Sequence, residues 1–185
     1  MPGRGTARIQ GVGPTLIVLY GVLGVVTLLG QAIYRLTPVA LEALGQLSQP
    51  QAAMLLGWTL FMLYSEGYRG FQKRFSPKVV KRALHLAAHP RPLFVLLAPA
   101  YCMAFFHATR RGLITAWGVT SMVVSLVILV RFVPQPWRGM IDGGVVLGLA
   151  WGVVTLLYNT WVGLRGGDIT APSELPNSSA QLTAS

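Results

Sequence analysis

This chain is poor in charge, in acidic residues and in cysteine. Only 11% of its 185 residues are charged, five of them acidic, and Cys102 is its single cysteine. Average globular domains carry about 25% charged residues, so the low charge excludes a solvated surface of ordinary extent. One cysteine excludes an intramolecular disulfide framework. With three histidines and no paired cysteines, little is left from which to build a metal site.

Long apolar runs are what the chain has instead. Hydrophobic residues make up 53% of it, gathered in five stretches that short basic segments separate. About 20 predominantly apolar helical residues cross a hydrocarbon core ~30 Å thick, and inside that core each backbone amide must be bonded within its own segment. The pattern predicts an all-α, polytopic integral membrane helix bundle with five transmembrane helices. The predicted spans, within a membrane domain over 1–164, are 14–34, 51–66, 92–109, 112–131 and 141–164.

The third apolar stretch fits two interpretations. Pro90 and Pro92 bound it and Pro99 interrupts it, and residues 93–106 rise only ~21 Å at 1.5 Å per residue. The alternative to five spans is therefore four spans plus a re-entrant hairpin. We favour five because a re-entrant backbone must be buried in protein or line an aqueous cavity, and this stretch is uninterruptedly apolar.

Basic residues indicate the orientation, because Lys and Arg accumulate in cytoplasmic loops. Seven lie between the second and third predicted spans: Arg69, Lys73, Arg74, Lys78, Lys81, Arg82 and Arg91. We expect this segment and the N-terminus to be cytoplasmic and, with five spans, the C-terminus exterior. The short predicted loops favour a protein of a bacterial inner membrane or plasma membrane. The net charge of +10 borders apolar segments, so the expected partners are the bilayer and its anionic headgroups rather than nucleic acid.

An amphipathic helix is predicted over 77–89, where Ser76 and Pro77 provide a helix start. Its basic face is expected to lie on the membrane surface and to contact lipid headgroups through Lys78, Lys81 and Arg82. His85 and His89 fall on the same face and are interpreted as interfacial cations. In the five-span arrangement His107 lies a membrane thickness away from them.

Glycines spaced four apart in the last predicted span form a helix-packing motif: Gly144, Gly148 and Gly152. Such a groove lets another helix approach closely. We expect Gly21 and Gly24 of the first span to face it, with a homo-oligomer or a membrane partner as the alternative. The segment 165–185 is rich in Gly, Pro, Ser, Thr and Asn and is predicted to be disordered.

Polar side chains that could carry chemistry are few, and no catalytic, cofactor-binding or metal-binding motif occurs. An unpaired carboxylate close to hydrocarbon is costly. The two acids beside predicted spans should therefore pair with nearby arginines at one boundary. This predicted interfacial cluster consists of Glu66, Arg69, Arg131, Arg138 and Asp142.

These patterns favour a non-enzymatic accessory or scaffold protein that presents 67–91 to lipid or to a membrane partner. One alternative is a small transporter or lipid-handling protein, which polar residues inside the bundle would favour. The other is a membrane-bound enzyme acting on lipid headgroups, which would require Glu66 and Asp142 to converge at one depth. No catalytic residue, cofactor or metal ligand is predicted.

Overall fold

The structure is a computed structural model that describes residues 11–169. The expected disorder of 165–185 falls mostly outside this range, as does the first part of the N-terminus. Within the described residues all regular secondary structure is helical, which confirms the all-α prediction. Its helices are α1 (Val12–Leu44), α2 (Gln49–Met62), a π-helix (Leu63–Phe75), α3 (Ser76–Ala88), α4 (Pro92–Leu96), α5 (Ala98–Cys102), α6 (Arg110–Val130) and α7 (Trp137–Leu164).

Three of these helices, α1, α6 and α7, are long and apolar enough to cross a membrane. They contain the first, fourth and fifth predicted spans. The predicted span 51–66 is divided between α2 and the π-helix. The predicted span 92–109 contains two helices of five residues each, α4 and α5. The described residues thus provide three candidate membrane spans, and the structure does not show five.

The backbone stays helical from Gln49 to Ala88. Ser48 begins this run by donating its N–H to the Gln51 side chain at 2.9 Å. The residues at both junctions of the π-helix have right-handed helical φ and ψ. At the second junction the Ser76 N–H donates to the carbonyl of Phe71, five residues earlier, which is the π-helical pattern. Residues 67–88, expected to connect two spans, therefore continue one long helix, hereafter the 49–88 helix.

Helix α7 packs against both α1 and the 49–88 helix. Its start packs beside the end of α1, where a Cβ on Gly139 would overlap Ala43, so α1 and α7 are antiparallel. The 49–88 helix runs parallel to α7, since successive contacts rise together in residue number. These contacts are Trp58 with Gly144, Glu66 with Gly148, Phe71 with Gly152, and Ser76 with Thr155.

The segment 92–107 returns to the end of the bundle where it begins. The Phe94 and His107 rings lie 5.0 Å apart, so its two ends are adjacent, which a segment that crosses a ~30 Å core cannot achieve. The segment therefore forms a hairpin, hereafter the hairpin. Ala98, Tyr101 and Cys102 are buried, whereas Leu93, Leu96 and Leu97 are exposed, so one side of the hairpin packs against the bundle.

Helix α3 is part of the core rather than a surface helix. Its buried residues include Val79, Val80 and Leu86, which join a cluster with Val22 of α1 and Leu156 of α7. The amphipathic pattern therefore turns the apolar side of α3 toward other helices. In contrast, α6 stands apart, and none of the residues in its apolar window is buried.

Candidate functional site

Glu66 lies beside the middle of α7. Its Oε2 is 3.2 Å from the point where a Cβ on Gly148 would lie, and Gly148 is near the midpoint of α7. Because Gly148 has no side chain, the carboxyl can occupy this space. The sequence pattern had instead indicated a position for Glu66 at one boundary.

The glycines of α7 allow the 49–88 helix to approach closely. A Cβ on Gly144 would lie 2.5 Å from Trp58 Nε1, and one on Gly152 would lie 2.6 Å from Phe71. On the opposite side of this contact, Gly67 faces Trp151 at 3.1 Å. The expected partners differ, since a Cβ on Gly21 would meet Cys102 of the hairpin at 3.0 Å.

Hydrogen bonds between side chains also join the two helices. The Trp151 Nε1–H donates to Gln72 Oε1 at 3.0 Å. The hydroxyls of Ser76 and Thr155 lie 3.1 Å apart. The contact between the π-helix and α7 therefore combines glycine packing with polar pairs.

A group of cations and aromatic rings lies on the exposed side of the π-helix. We call it the cationic face, and it comprises Tyr64, Tyr68, Arg69, Lys73 and Arg74, all exposed. The two tyrosine rings stack with centroids 6.0 Å apart, and Lys73 Nζ lies 4.5 Å from the Tyr68 centroid. The part of the 49–88 helix that carries the cationic face packs against residues 148–155 of α7. It therefore lies along the length of a candidate span.

The residues of the predicted interfacial cluster are found in different places. Arg138 Nε and Asp142 Oδ2 are 3.8 Å apart near the start of α7. Glu66 faces Gly148, six residues beyond Asp142 and about 9 Å further along the helix at 1.5 Å per residue. Arg69 belongs to the cationic face, and Arg131 follows the end of α6. The two carboxylates are thus at different levels.

Arg82 is buried, with 1% of its surface exposed. Its Nε–H donates to the Tyr101 carbonyl at 2.7 Å, and its Nη2 donates to the carbonyls of Phe106 and His107, each at 3.2 Å. The guanidinium also lies 4.4 Å from the Tyr101 ring centroid. Arg82 therefore holds the hairpin and does not face a lipid headgroup here. Lys78 and Lys81, the other two predicted headgroup ligands, are half-buried on α3.

The three histidines belong to the same end of the bundle. His85 and His89 have ring centroids 4.9 Å apart. Desolvation lowers the pKa of His85, and the charges of His89, Arg82 and His107 lower it further. His107 is therefore not a membrane thickness away, because the hairpin returns. Within residues 11–169, no three His, Cys, Asp or Glu side chains are grouped as a metal site requires.

No family model, no curated protein and no solved structure matches this chain. The described fold defines its class as a helical chain with three candidate membrane spans.

Proposed function

We propose that this chain is a non-enzymatic accessory subunit of a membrane assembly. Its cationic face docks against a different membrane protein that offers carboxylates at the same depth. The observation that carries this proposal is the position of Arg69, Lys73 and Arg74 on the helix that packs along the middle of α7.

The cost of charge in lipid is the reason why a partner is needed. An Arg or Lys at the centre of a span costs about 2.5–3.5 kcal/mol on insertion scales. Long side chains reduce that cost by reaching an interface, but three cations within six residues of one helix favour a polar cover. Carboxylates of a partner helix would supply it, and the exposed rings of Tyr64 and Tyr68 are of the type enriched at protein interfaces.

Charge also decides between a second copy and a different chain. A two-fold symmetric dimer brings the same patch of each subunit together. Through the cationic face this would oppose like charges, so a homodimer at this surface is disfavoured. A heterologous partner with Asp or Glu in its span is complementary.

The position of Glu66 supports transport as a second candidate function. Ionisable groups at mid-membrane mark ion and proton pathways in transporters, and Glu66 faces Gly148 near the midpoint of α7. The enzymatic alternative has less support, because Asp142 lies near the start of α7 beside Arg138 and does not form a pair with Glu66.

Site-specific photo-crosslinking in native membranes tests the accessory role. A photoreactive residue at Tyr68 should crosslink to one other membrane protein, at a peptide that contains an acid within an apolar span. The same residue at Val127, exposed on α6, provides the control. Replacing Arg69, Lys73 and Arg74 by Gln should abolish the Tyr68 crosslink, whereas replacing the exposed Arg110, Arg111 and Arg131 by Gln should preserve it.

A charge exchange makes this experiment specific. Replacing the partner's acid by Lys should abolish the crosslink, and Glu at positions 69, 73 and 74 should restore it. A Tyr68 crosslink only to lipid, or only to a second copy of this chain, would contradict the proposal.

A further inference from the structure

A groove opens between α1 and the hairpin. Its volume is about 590 Å³, and it is lined by Tyr20, Pro90, Pro92, Val95 and Leu96. The only side-chain polar atom among the lining residues is the Tyr20 hydroxyl, which donates to the Leu96 carbonyl at 3.3 Å. The groove thus offers an apolar surface whose polar group already has a partner.

An exposed cation, Arg91, is the sequence neighbour of two residues that line this groove. Arg91 lies between the two lining prolines, is exposed and has an extended backbone (φ −117°, ψ 129°). Proline restricts its own φ and disfavours the α region for the residue before it, so the segment 90–92 holds Arg91 in place. Its guanidinium is 5.5 Å from the Phe94 ring centroid. His89, also exposed, precedes the groove on the same connection.

The location of the groove matches a membrane boundary. Residues 89–91 connect the end of α3 to the start of the hairpin, and Leu84 of α3 packs near Gly163 at the end of α7. An apolar groove with a cation at its edge therefore opens at one end of a candidate span, the level at which anionic lipids carry their phosphates.

We propose that this groove binds one anionic phospholipid, with an acyl chain along Val95 and Leu96 and its phosphate beside Arg91. Charge complementarity selects this occupant, since an anionic phospholipid brings a net negative charge to Arg91. The phosphate of a zwitterionic lipid is already balanced by the cation of its own headgroup, and a free phosphate would leave the apolar lining uncovered. The lipid site is separate from the cationic face. It does not depend on the accessory role, and each can fail alone.

Native mass spectrometry of the full-length protein tests the site with two defined lipids. Protein purified in mild detergent is incubated with phosphatidylglycerol or with phosphatidylcholine, and the retained lipid is counted. We expect one tightly retained phosphatidylglycerol and a preference over phosphatidylcholine of about fivefold, the factor expected for one cation near an anionic headgroup. Equal retention of the two lipids would overturn the proposal.

Variants separate the headgroup contact from the acyl contact. Arg91→Gln should remove the preference for phosphatidylglycerol, whereas Arg110→Gln, a matched exposed arginine, should keep it. Val95→Trp should fill the groove and reduce retention of both lipids. Leu96→Gln makes the lining polar at an exposed position and should do the same if Val95→Trp fails to fold.

Inorganic phosphate distinguishes the two sources of the anion. An excess should leave the phospholipid bound, because the acyl chain contributes to affinity. Displacement by phosphate alone, or the same loss in Arg110→Gln as in Arg91→Gln, would show that the groove is not a phospholipid site.

Discussion

At the scale of single residues, the position of Arg82 depends on contacts between distant parts of the chain. Its spacing from Lys78 and Lys81 predicts a basic helix face, but the same spacing fits a cation at a headgroup and a cation bonded to buried carbonyls. The hairpin decides between them, since the carbonyls of Tyr101, Phe106 and His107 receive the guanidinium. Local sequence could predict the helix face but not its neighbour.

Replacing Arg82 by Met should loosen the hairpin. One buried carbonyl and two part-buried carbonyls would lose a charged donor, and breaking such bonds should lower the free energy of unfolding by about 3 kcal/mol. Arg82→Lys should be intermediate, because an ammonium cannot reproduce the planar donor geometry. Thermal unfolding in detergent measures both changes, with Arg111→Met, at an exposed position, as the control.

Cys102 reports directly on this loosening. Burial raises the pKa of its thiol to about 12, so maleimide should label the native protein slowly at neutral pH. Arg82 itself acts to lower this pKa, and losing its charge without opening would slow labelling further. Faster labelling of Arg82→Met would therefore mean that the hairpin has opened, and unchanged labelling together with unchanged stability would refute the role of Arg82.

At the scale of helices, the glycine spacing in α7 predicts close packing but not the partner. The pattern belongs to one helix, whereas the partner depends on the path of the whole chain. Gly144, Gly148 and Gly152 face the 49–88 helix, while a Cβ on Gly24 would overlap Pro99 of the hairpin. The π-helix was likewise not predicted, because no residue pattern in 63–75 distinguishes it from an α-helix that ends in a basic loop.

Substitution of individual glycines should give graded losses of stability. Gly152→Ala places a Cβ 2.6 Å from the Phe71 ring, and such overpacking typically costs about 1–3 kcal/mol. Gly148→Ala should cost less, because its nearest neighbour at 3.2 Å is the end of the Glu66 side chain. Gly148→Leu should exceed both.

Gly57 and Gly118 provide the controls for this series. A Cβ at either position meets nothing within 4 Å, and alanine favours a helix interior over glycine by up to ~1 kcal/mol. Both alanine variants should be neutral or stabilising in thermal unfolding. A Gly152→Ala variant as stable as Gly118→Ala would mean that this contact does not hold the bundle together.

At the scale of the whole molecule, hydropathy predicted the helical class and the three candidate spans. It could not decide the course of 92–109, because a crossing helix and a buried hairpin are equally apolar. The charge count could not decide it either, since the two arrangements mainly exchange a few arginines between sides. The close approach of Phe94 and His107 shows that residues 94–107 turn back on themselves.

The course of the chain places the start of α1 and the end of α7 at the same end of the bundle. Helices α1 and α7 are antiparallel, so Val12 and Leu164 lie at the same end. Compartment-specific reporters fused before Met1 and after Ser185 should therefore report the same side, whereas five spans require opposite sides. A reporter inserted at Gln46, between α1 and α2, should report the other side. Opposite signals from the two termini would restore a crossing by residues 92–109.

The π-helix also sets the angular phase of the bundle. An α-helix turns 100° per residue, and a π-helix, with its i→i+5 bonds, turns less, so residues 63–75 fix how far α3 is rotated relative to α2. Removing one residue there would rotate every side chain of α3 by the turn of one π-helical residue, somewhat less than 100°. This would move Arg82 away from the hairpin, while Trp58 kept its place on Gly144. The number of residues in this segment, as much as their chemistry, aligns one face of the long helix with α7 and another with the hairpin.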